Sequence, residues 1–435
     1  MIHVALFIYM YIFLFKLYSS SAALLHTEAY KDIDNSKNNY KNKLLISHPK
    51  NGDYFLDRNF IEWFVGFTDG EGNFHIRLTD LNNNTFKSVQ FTFQIGLHKD
   101  DLKVLEYIMY TLKCGHISKY ENRVNFFVND KDSLLNIIIP IFDFVNLNSS
   151  KYHHYLLFNK AVFLLKNKEH LLDEGKLTII KCKKEMQNIS GKWVPDSIYN
   201  KINITKYWLA GFIDGKGTFS ISRSVPRFKL ENHMKELELY NKIKAFIGID
   251  KLIYSLERVD KINSNPTIIL EINKIKDIKN KLIPLMYDKN NLLLKTLKSD
   301  DFLLWLNLIE IYYKGYHTRL EGKYLVDCIK SHMNKYRIST NNLKKLIPIS
   351  EIENLLSKLY LLESPYVIKE GVRYYRGTNK LVSDSNQIVC IDDNNCSTVY
   401  NSISVAAKNL NISRKKIKEC LTTGEKYKGY FFVLK

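Results

Sequence analysis

Residues 62–76 read EWFVGFTDGEGNFHI, and residues 207–221 read YWLAGFIDGKGTFSI. The second stretch keeps the tryptophan (Trp63, Trp208), three glycine pairs (Gly66 and Gly211, Gly70 and Gly215, Gly72 and Gly217), the aspartate (Asp69, Asp214) and the phenylalanine (Phe74, Phe219) of the first. One position changes sign, with Lys216 standing where Glu71 would recur. The correspondence continues downstream in the same order. FQIGLHKDDLKVLEYI (93–108) lines up without gaps on FKLENHMKELELYNKI (228–243); IIPIFD (138–143) answers LIPLMYD (282–288), and KYHHYLLF (151–158) answers KSDDFLLW (298–305). A repeat of this length reads as two fused copies of one fold.

Each copy predicts helix, strand, strand, helix, strand pair, helix, an α+β arrangement. The opening helix is expected to start at Asn59, with Glu62 three residues on as a capping-box partner. Phe60, Ile61, Trp63, Phe64, Val65 and Phe67 make it apolar nearly all round, so it should be buried on more than one side. Gly66 and Gly70, like Gly211 and Gly215, lie four apart on one face, a spacing that lets two helix backbones approach closely. In the strands that follow, Phe74, Ile76 and Leu78 alternate with His75, Arg77 and Thr79, and Val89, Phe91, Phe93 and Ile95 alternate with Gln90, Thr92 and Gln94. Such period-two patterning gives a sheet with one face on the core and one in water. His75, Arg77, Gln90, Thr92 and Gln94 on the wet face are side chains of the kind that read base edges in a major groove. Any antiparallel sheet with a solvated face carries a similar pattern.

The helix closes in TDGEG, at the end where free carbonyls and the negative pole of the macrodipole gather. Carboxylates there invite a cation, and a hard divalent ion such as Mg²⁺ takes oxygen ligands of this kind. Held over a phosphodiester, it would polarise the phosphoryl oxygen and activate water. The stretch lacks the alternating ligands and distal glutamate of an EF-hand. A single such turn would read as a solvated helix end, but this one recurs in register.

FVGFTDGEG and LAGFIDGKG, each opening one copy of a duplicated αββαββα unit, resemble the signature of the LAGLIDADG homing endonucleases, and the likeness runs over about residues 58–340. The resemblance implies a pseudo-symmetric monomer in which the motif helices form the interface and two sheets make a saddle over double-stranded DNA. It also implies Mg²⁺ as cofactor, with Glu71 and Gly70 as metal ligands and Lys216 in the second acid position. Lys151 and Lys298 match the lysine the family places beside the reacting phosphate. An ammonium at position 216 would bind no metal, so the expected activity is nicking of one strand, or binding without cutting. The alternative is a maturase that holds host intron RNA and assists splicing.

A net charge of +19 fits a polyanionic partner. Lysine outnumbers arginine 53 to 11 and alanine occurs only 9 times; that skew follows A/T-rich codons, as in many organelle genomes, so part of the basic excess reflects codon bias, and it is the resemblance that implies a mitochondrial, organelle-encoded protein. The six cysteines form no C-x-x-C pair and read as reduced thiols. The apolar run Val4–Phe15 is shorter than the roughly 20 residues of a membrane span and lacks a basic leader, so membrane association is not expected. The last residues read as a short hairpin and two helices joined by a tight turn, with Ser404 and Ser413 as caps. Arg414, Lys415 and Lys418 sit at the start of the second helix, where a groove would be met. This tail resembles the modular helix-turn-helix domain appended to homing endonucleases. The expected organisation is 1–57, an apolar segment and polar linker; 58–195, the first repeat; 196–345, the second; 346–387, a linking region; and 388–435, the DNA-binding module.

Overall fold

In the first repeat, α1 (Arg58–Glu71) starts at Asp57, whose side chain accepts from the Asn59 amide at 2.8 Å. The cap is therefore Asp57, not Asn59. Glu62 does not close a capping box; its carboxylate accepts from Arg58 Nε at 2.8 Å and, across the duplication, from Thr205 Oγ1 at 2.6 Å. Gly72 turns the chain to extended backbone and straight into β1 (Gly72–Thr79), which pairs antiparallel with β2 (Ser88–His98). Then come α2 (Leu102–Leu112), β3 (His116–Lys119), β4 (Arg123–Val128), a helical stretch over 131–144, α3 (Lys151–Lys166) and α4 (Asp173–Ile189). The sheet order is β1-β2-β4-β3.

The second repeat runs the same course. α5 (Lys206–Lys216) is capped by Thr205 and leads into β5 (Gly217–Ser222) and β6 (Val225–His233). α6 (Leu237–Ile247), β7 (Tyr254–Leu256), β8 (Thr267–Ile272) and α7 (Lys298–Lys314) follow, and the sheet order β5-β6-β8-β7 reproduces the first. Both copies carry a wide, π-type turn just before a proline, at 134–138 ahead of Pro140 and at 278–282 ahead of Pro284. A proline has no amide to donate and its ring crowds the carbonyl four residues back, so a widened turn suits both. The duplication also reaches further than the motif blocks. Gly175 in α4 and Gly322 in α8 (Leu320–Ser331) play one role, since a Cβ would fall 1.9 Å from the Glu169 carbonyl and 2.0 Å from the Tyr316 carbonyl respectively.

The computed structural model describes residues 42–48, 51–82, 84–189, 202–222, 225–250, 253–256, 266–341, 346–369, 372–378, 380, 382, 388–400 and 402–434. The apolar N-terminal run lies outside them. Residues 45–435 form one compact unit. No helix among the described residues is long and apolar enough to cross a membrane. Residues 346–387, read as a linking region, contain α9 (Ile349–Leu361) and a hairpin of β9 (Tyr366–Lys369) and β10 (Val372–Tyr375). Buried Arg373 donates from that hairpin to the Tyr312 and Tyr313 carbonyls at the end of α7. The tail folds as β11 (Ile388–Ile391), β12 (Ser397–Tyr400), α10 (Ile403–Leu410), α11 (Arg414–Thr423) and β13 (Phe431–Leu434), with β11 central in its sheet. It has its own core of Ile388, Cys390, Ile403, Ala406, Ile412, Ile417, Cys420 and Phe432. Its first helix is capped by Ser402, which accepts from the Val405 amide, and not by Ser404; Ser413 caps the second as expected.

Everything is organised on the contact between α1 and α5. A Cβ on Gly66 would sit 2.0 Å from the Trp208 carbonyl oxygen, and one on Gly211 would sit 1.9 Å from the Trp63 carbonyl oxygen. Gly70 and Gly215 would each meet the other's Cα at 3.0 and 2.9 Å. The helices thus cross backbone on backbone, and this explains why α1 is buried from Phe60 to Gly70 with no wet face. Trp63 stacks on Phe67 and Trp208 on Phe212, which fills the flanks of the crossing. Gly211→Ala places a methyl against a carbonyl that cannot retreat without parting the helices. It is expected to lower stability in denaturant unfolding by about 3 kcal/mol, and Gly70→Ala, with a looser approach, by about 1 kcal/mol.

Candidate active site and nucleic-acid face

Because the two helices cross at glycine, their C-terminal ends lie side by side. Lys216 Nζ stands 3.1 Å from Glu71 Oε1, and the two side chains are 30% and 26% exposed, so the pair is open to solvent on one side. The other acid of each motif has a different fate. Asp69 is buried and accepts from the Asn148 amide (2.9 Å), the Ser149 amide (2.9 Å), Ser149 Oγ (2.5 Å) and, across the interface, Trp208 Nε1 (2.8 Å). Asp214 accepts from the Lys295 and Thr296 amides (2.8 and 3.0 Å), Thr296 Oγ1 (2.6 Å) and Trp63 Nε1 (2.9 Å). Burial pushes both carboxyls up, and the four donated bonds on each oppose it. The sequence reading that Asp69 invites a cation is therefore corrected: its oxygens are filled by N–H and O–H donors, and it ties the helix end to the start of α3.

That tie positions the lysines. Lys151 Nζ donates to the Thr68 and Gly70 carbonyls, both at 3.0 Å, and Lys298 Nζ to the Ile213 and Gly215 carbonyls at 3.4 and 2.7 Å. These are last-turn carbonyls of α1 and α5, where a cation complements the free acceptors and the macrodipole. Burial lowers each ammonium to about 8. Glu71 raises and Lys216 lowers both values, so all four groups share one field. The pocket holds one carboxylate among three ammonium groups, an arrangement that attracts a phosphate oxygen. The Gly70 carbonyl accepts from Lys151 in this structure. Among the described residues no group of three or more His, Cys, Asp or Glu side chains gathers to hold a metal ion.

The sheet residues fall where the alternation put them. In the β1–β2 register Asn73 faces Gln94, His75 faces Thr92 and Arg77 faces Gln90, three cross-strand rows on the wet face. Burial, then the charges of Lys183 and Arg77, hold His75 below its usual value, so near neutral pH its ring carries one donor and one acceptor. The matching face of the second sheet carries Thr218 opposite Lys229 and Ser220 opposite Arg227. There, however, Arg227 pairs with Glu271 at 3.1 Å and Lys229 with Glu231 at 2.7 Å. Arg414, Lys415 and Lys418 are exposed on α11 of the tail. Sequence reasoning missed the cross-interface tryptophans and the second sheet's cations, although the repeat alignment pointed to both.

The sequence matches the LAGLIDADG endonuclease family over residues 64–162 and again over 209–309. It is 28% identical over 364 residues to the uncharacterized mitochondrial protein RF1 of Saccharomyces cerevisiae, covering 79% of this chain and 72% of that one. To "Probable intron-encoded endonuclease 2" of Neurospora crassa it is 34% identical over 126 residues, 28% of this chain and only 26% of the relative. Among solved structures, I-SmaMI bound to uncleaved DNA in the presence of calcium ions superposes with a TM-score of 0.54 at 26% identity, over 63% of this chain and 99% of that one. The doubled motif, the glycine crossing of its helices and these matches make the chain a two-repeat, single-chain member of the LAGLIDADG endonuclease family.

Proposed function

We propose that this chain is an intron-encoded, mitochondrial homing endonuclease that binds a long double-stranded DNA site as a monomer and hydrolyses one strand. Support for the class comes from the doubled family match and from relatives named as intron-encoded endonucleases. A mitochondrial setting is supported by the yeast relative. The single observation that carries the one-strand reading is the Lys216 ammonium 3.1 Å from the Glu71 carboxylate. The proposed division of labour is residues 58–195 and 196–345 for the two halves of the site, 346–387 as connection and 388–435 as an added DNA-binding module.

A divalent ion, Mg²⁺, would be held by the Glu71 carboxylate and the Gly70 carbonyl, and Lys216 would offer no ligand for a second. When bound, such an ion supplies Lewis-acid activation of water and of the phosphoryl oxygen. This chain's own residues do the rest. Lys151 and Lys298 place ammonium groups beside the pocket to neutralise charge developing on the phosphate. Lys216 offers a third cation where an acid is required. Exchanging carboxylate for ammonium alters the local charge by two units, and one unit pair at about 4 Å and an effective dielectric near 20 is worth roughly 4 kcal/mol. His75, Arg77, Gln90, Thr92 and Gln94 would face the bases, and Arg414, Lys415 and Lys418 would meet a neighbouring groove or backbone and add affinity through effective concentration.

Lys216 is also the observation that favours a second reading, a maturase holding intron RNA without cutting DNA. The names of the relatives favour the endonuclease. Supercoiled plasmid carrying the homing site separates the two. The expected product with Mg²⁺ is the open circle; Glu71→Gln should lower its formation by about a hundredfold or more, and a chelator should stop it. Lys216→Glu is expected to yield linear DNA. Efficient linearisation by the unaltered protein would refute single-strand cleavage, and an unreactive plasmid with intact splicing assistance by Glu71→Gln would leave the RNA role.

A second expectation concerns the tail. Replacing Arg414, Lys415 and Lys418 together by alanine should reduce the slope of log K against log salt by about 2 to 3, with little change in the cleavage rate at saturating DNA. Equilibrium binding across a salt series measures it, and an unchanged slope would remove the tail from the interface.

A further inference from the structure

The amides that open α3 and α7 are shared out between two carboxylates each, and one of the two always comes from the other repeat. At α3, Asn148 and Ser149 donate to Asp69 of their own repeat, while the Ser150 amide donates to Glu236 of the second repeat, at 3.2 and 3.1 Å from its two oxygens. At α7, Lys295 and Thr296 donate to Asp214, while the Leu297 amide donates to Asp101 of the first repeat at 2.8 Å. Positions 148–150 and 295–297 correspond one to one. Each trio immediately precedes the lysine that reaches back to the motif helix, Lys151 and Lys298.

The donating repeat does not need these acids as caps: the short turns leading into α2 and α6 are capped by His98, which accepts from the Asp100 amide at 3.3 Å, and by His233, which accepts from the Lys235 amide at 3.1 Å. Asp101 stands at the N-cap of α2 and Glu236 at the N-cap of α6, where a carboxylate ordinarily accepts from its own helix. Neither does so. Both side chains cross to the other repeat, and Glu236 is only 3% exposed. Two buried or half-buried acids at equivalent positions, neither making a capping bond in its own helix and each holding the start of a helix in the opposite repeat, are not explained by the needs of α2 and α6.

We infer that Asp101 and Glu236 are positioning residues for the active-site lysine of the opposite repeat: Glu236 fixes the start of α3 and hence Lys151, and Asp101 fixes the start of α7 and hence Lys298. The inference rests on the reading of Lys151 and Lys298 as site lysines proposed above. Each half of the site is then composite. The lysine is carried by one repeat and aimed by both, so that neither repeat alone supplies every bond that fixes it.

Competitive acylation of the full-length protein with acetic anhydride, read by mass spectrometry, tests this without recourse to catalysis. Glu236→Gln is expected to raise the labelling rate of Lys151 by about threefold or more and leave Lys298 as it was; Asp101→Asn should do the reverse. Glu236→Asp, which keeps the charge and shortens the reach, should fall on the side of Glu236→Gln and serves where the glutamine variant does not fold. Labelling that rises equally at both lysines, or at neither, overturns the inference. In the nicking assay, Glu236→Gln should slow single-turnover cleavage about tenfold at unchanged DNA affinity, yet add almost nothing in a Lys151→Ala background. A full additive loss in that background also overturns it. If Glu71→Gln leaves nicking untouched, the proposed function fails while the crossed labelling pattern still decides the positioning claim.

Discussion

Two helix backbones touching at glycine are the constraint from which the rest follows. Trp63 and Trp208 present their carbonyls to the missing side chains of Gly211 and Gly66, and no residue larger than glycine fits without separating the repeats. That approach places Trp63 Nε1 on Asp214 and Trp208 Nε1 on Asp69. Through those aspartates the helix ends reach the starts of α3 and α7, and through these starts they reach the two lysines. Packing at the crossing and chemistry at its end are therefore one structure. A change at the glycines should be felt first at the pocket.

The same crossing forces positions 71 and 216 into one field. In a site with two carboxylates the four surrounding charges would balance in pairs. Here three ammonium groups face one carboxylate, and the pocket is asymmetric although its scaffold is not. The asymmetry extends outward, because the first sheet leaves Arg77 and His75 on its wet face with polar neighbours, while Arg227 and Lys229 of the second sheet are held by acids of their own repeat. The two halves have kept a common fold and diverged in what they present to a ligand.

Much of this was legible in the sequence because backbone contact leaves few choices. Glycine four apart on a nearly all-apolar helix, occurring twice, permits little else, and strict alternation in β1 and β2 fixed which side chains face water. Asp69 was misread, since a carboxylate at a helix end looks the same in sequence whether it meets a cation or a ring of N–H donors. The repeat itself carried the missing clue: Asp69 recurs as Asp214, as a packed position must, whereas Glu71 becomes Lys216, as a pocket position can. Glu236 and Asp101 differ in length and so did not announce themselves as partners, although both are acidic. Gly175 and Gly322 lie in a shared Glu-Gly-Lys, each 24 residues after the lysine that opens the preceding aligned block, yet three common residues are too short a match to stand out. Ser402 and Asp57 were missed by two residues each, the usual error where several small polar residues compete for one cap.

The direct test of the shared pocket is a zero-length carbodiimide cross-link, which joins a carboxylate to an amine only where the two already touch. The pair Lys279 and Glu310, 2.8 Å apart within the second repeat, provides the internal standard. Peptide mapping should find Glu71 joined to Lys216 alongside that standard. Recovery of the standard with Lys216 unlinked, or linked to any other acid, would contradict the account.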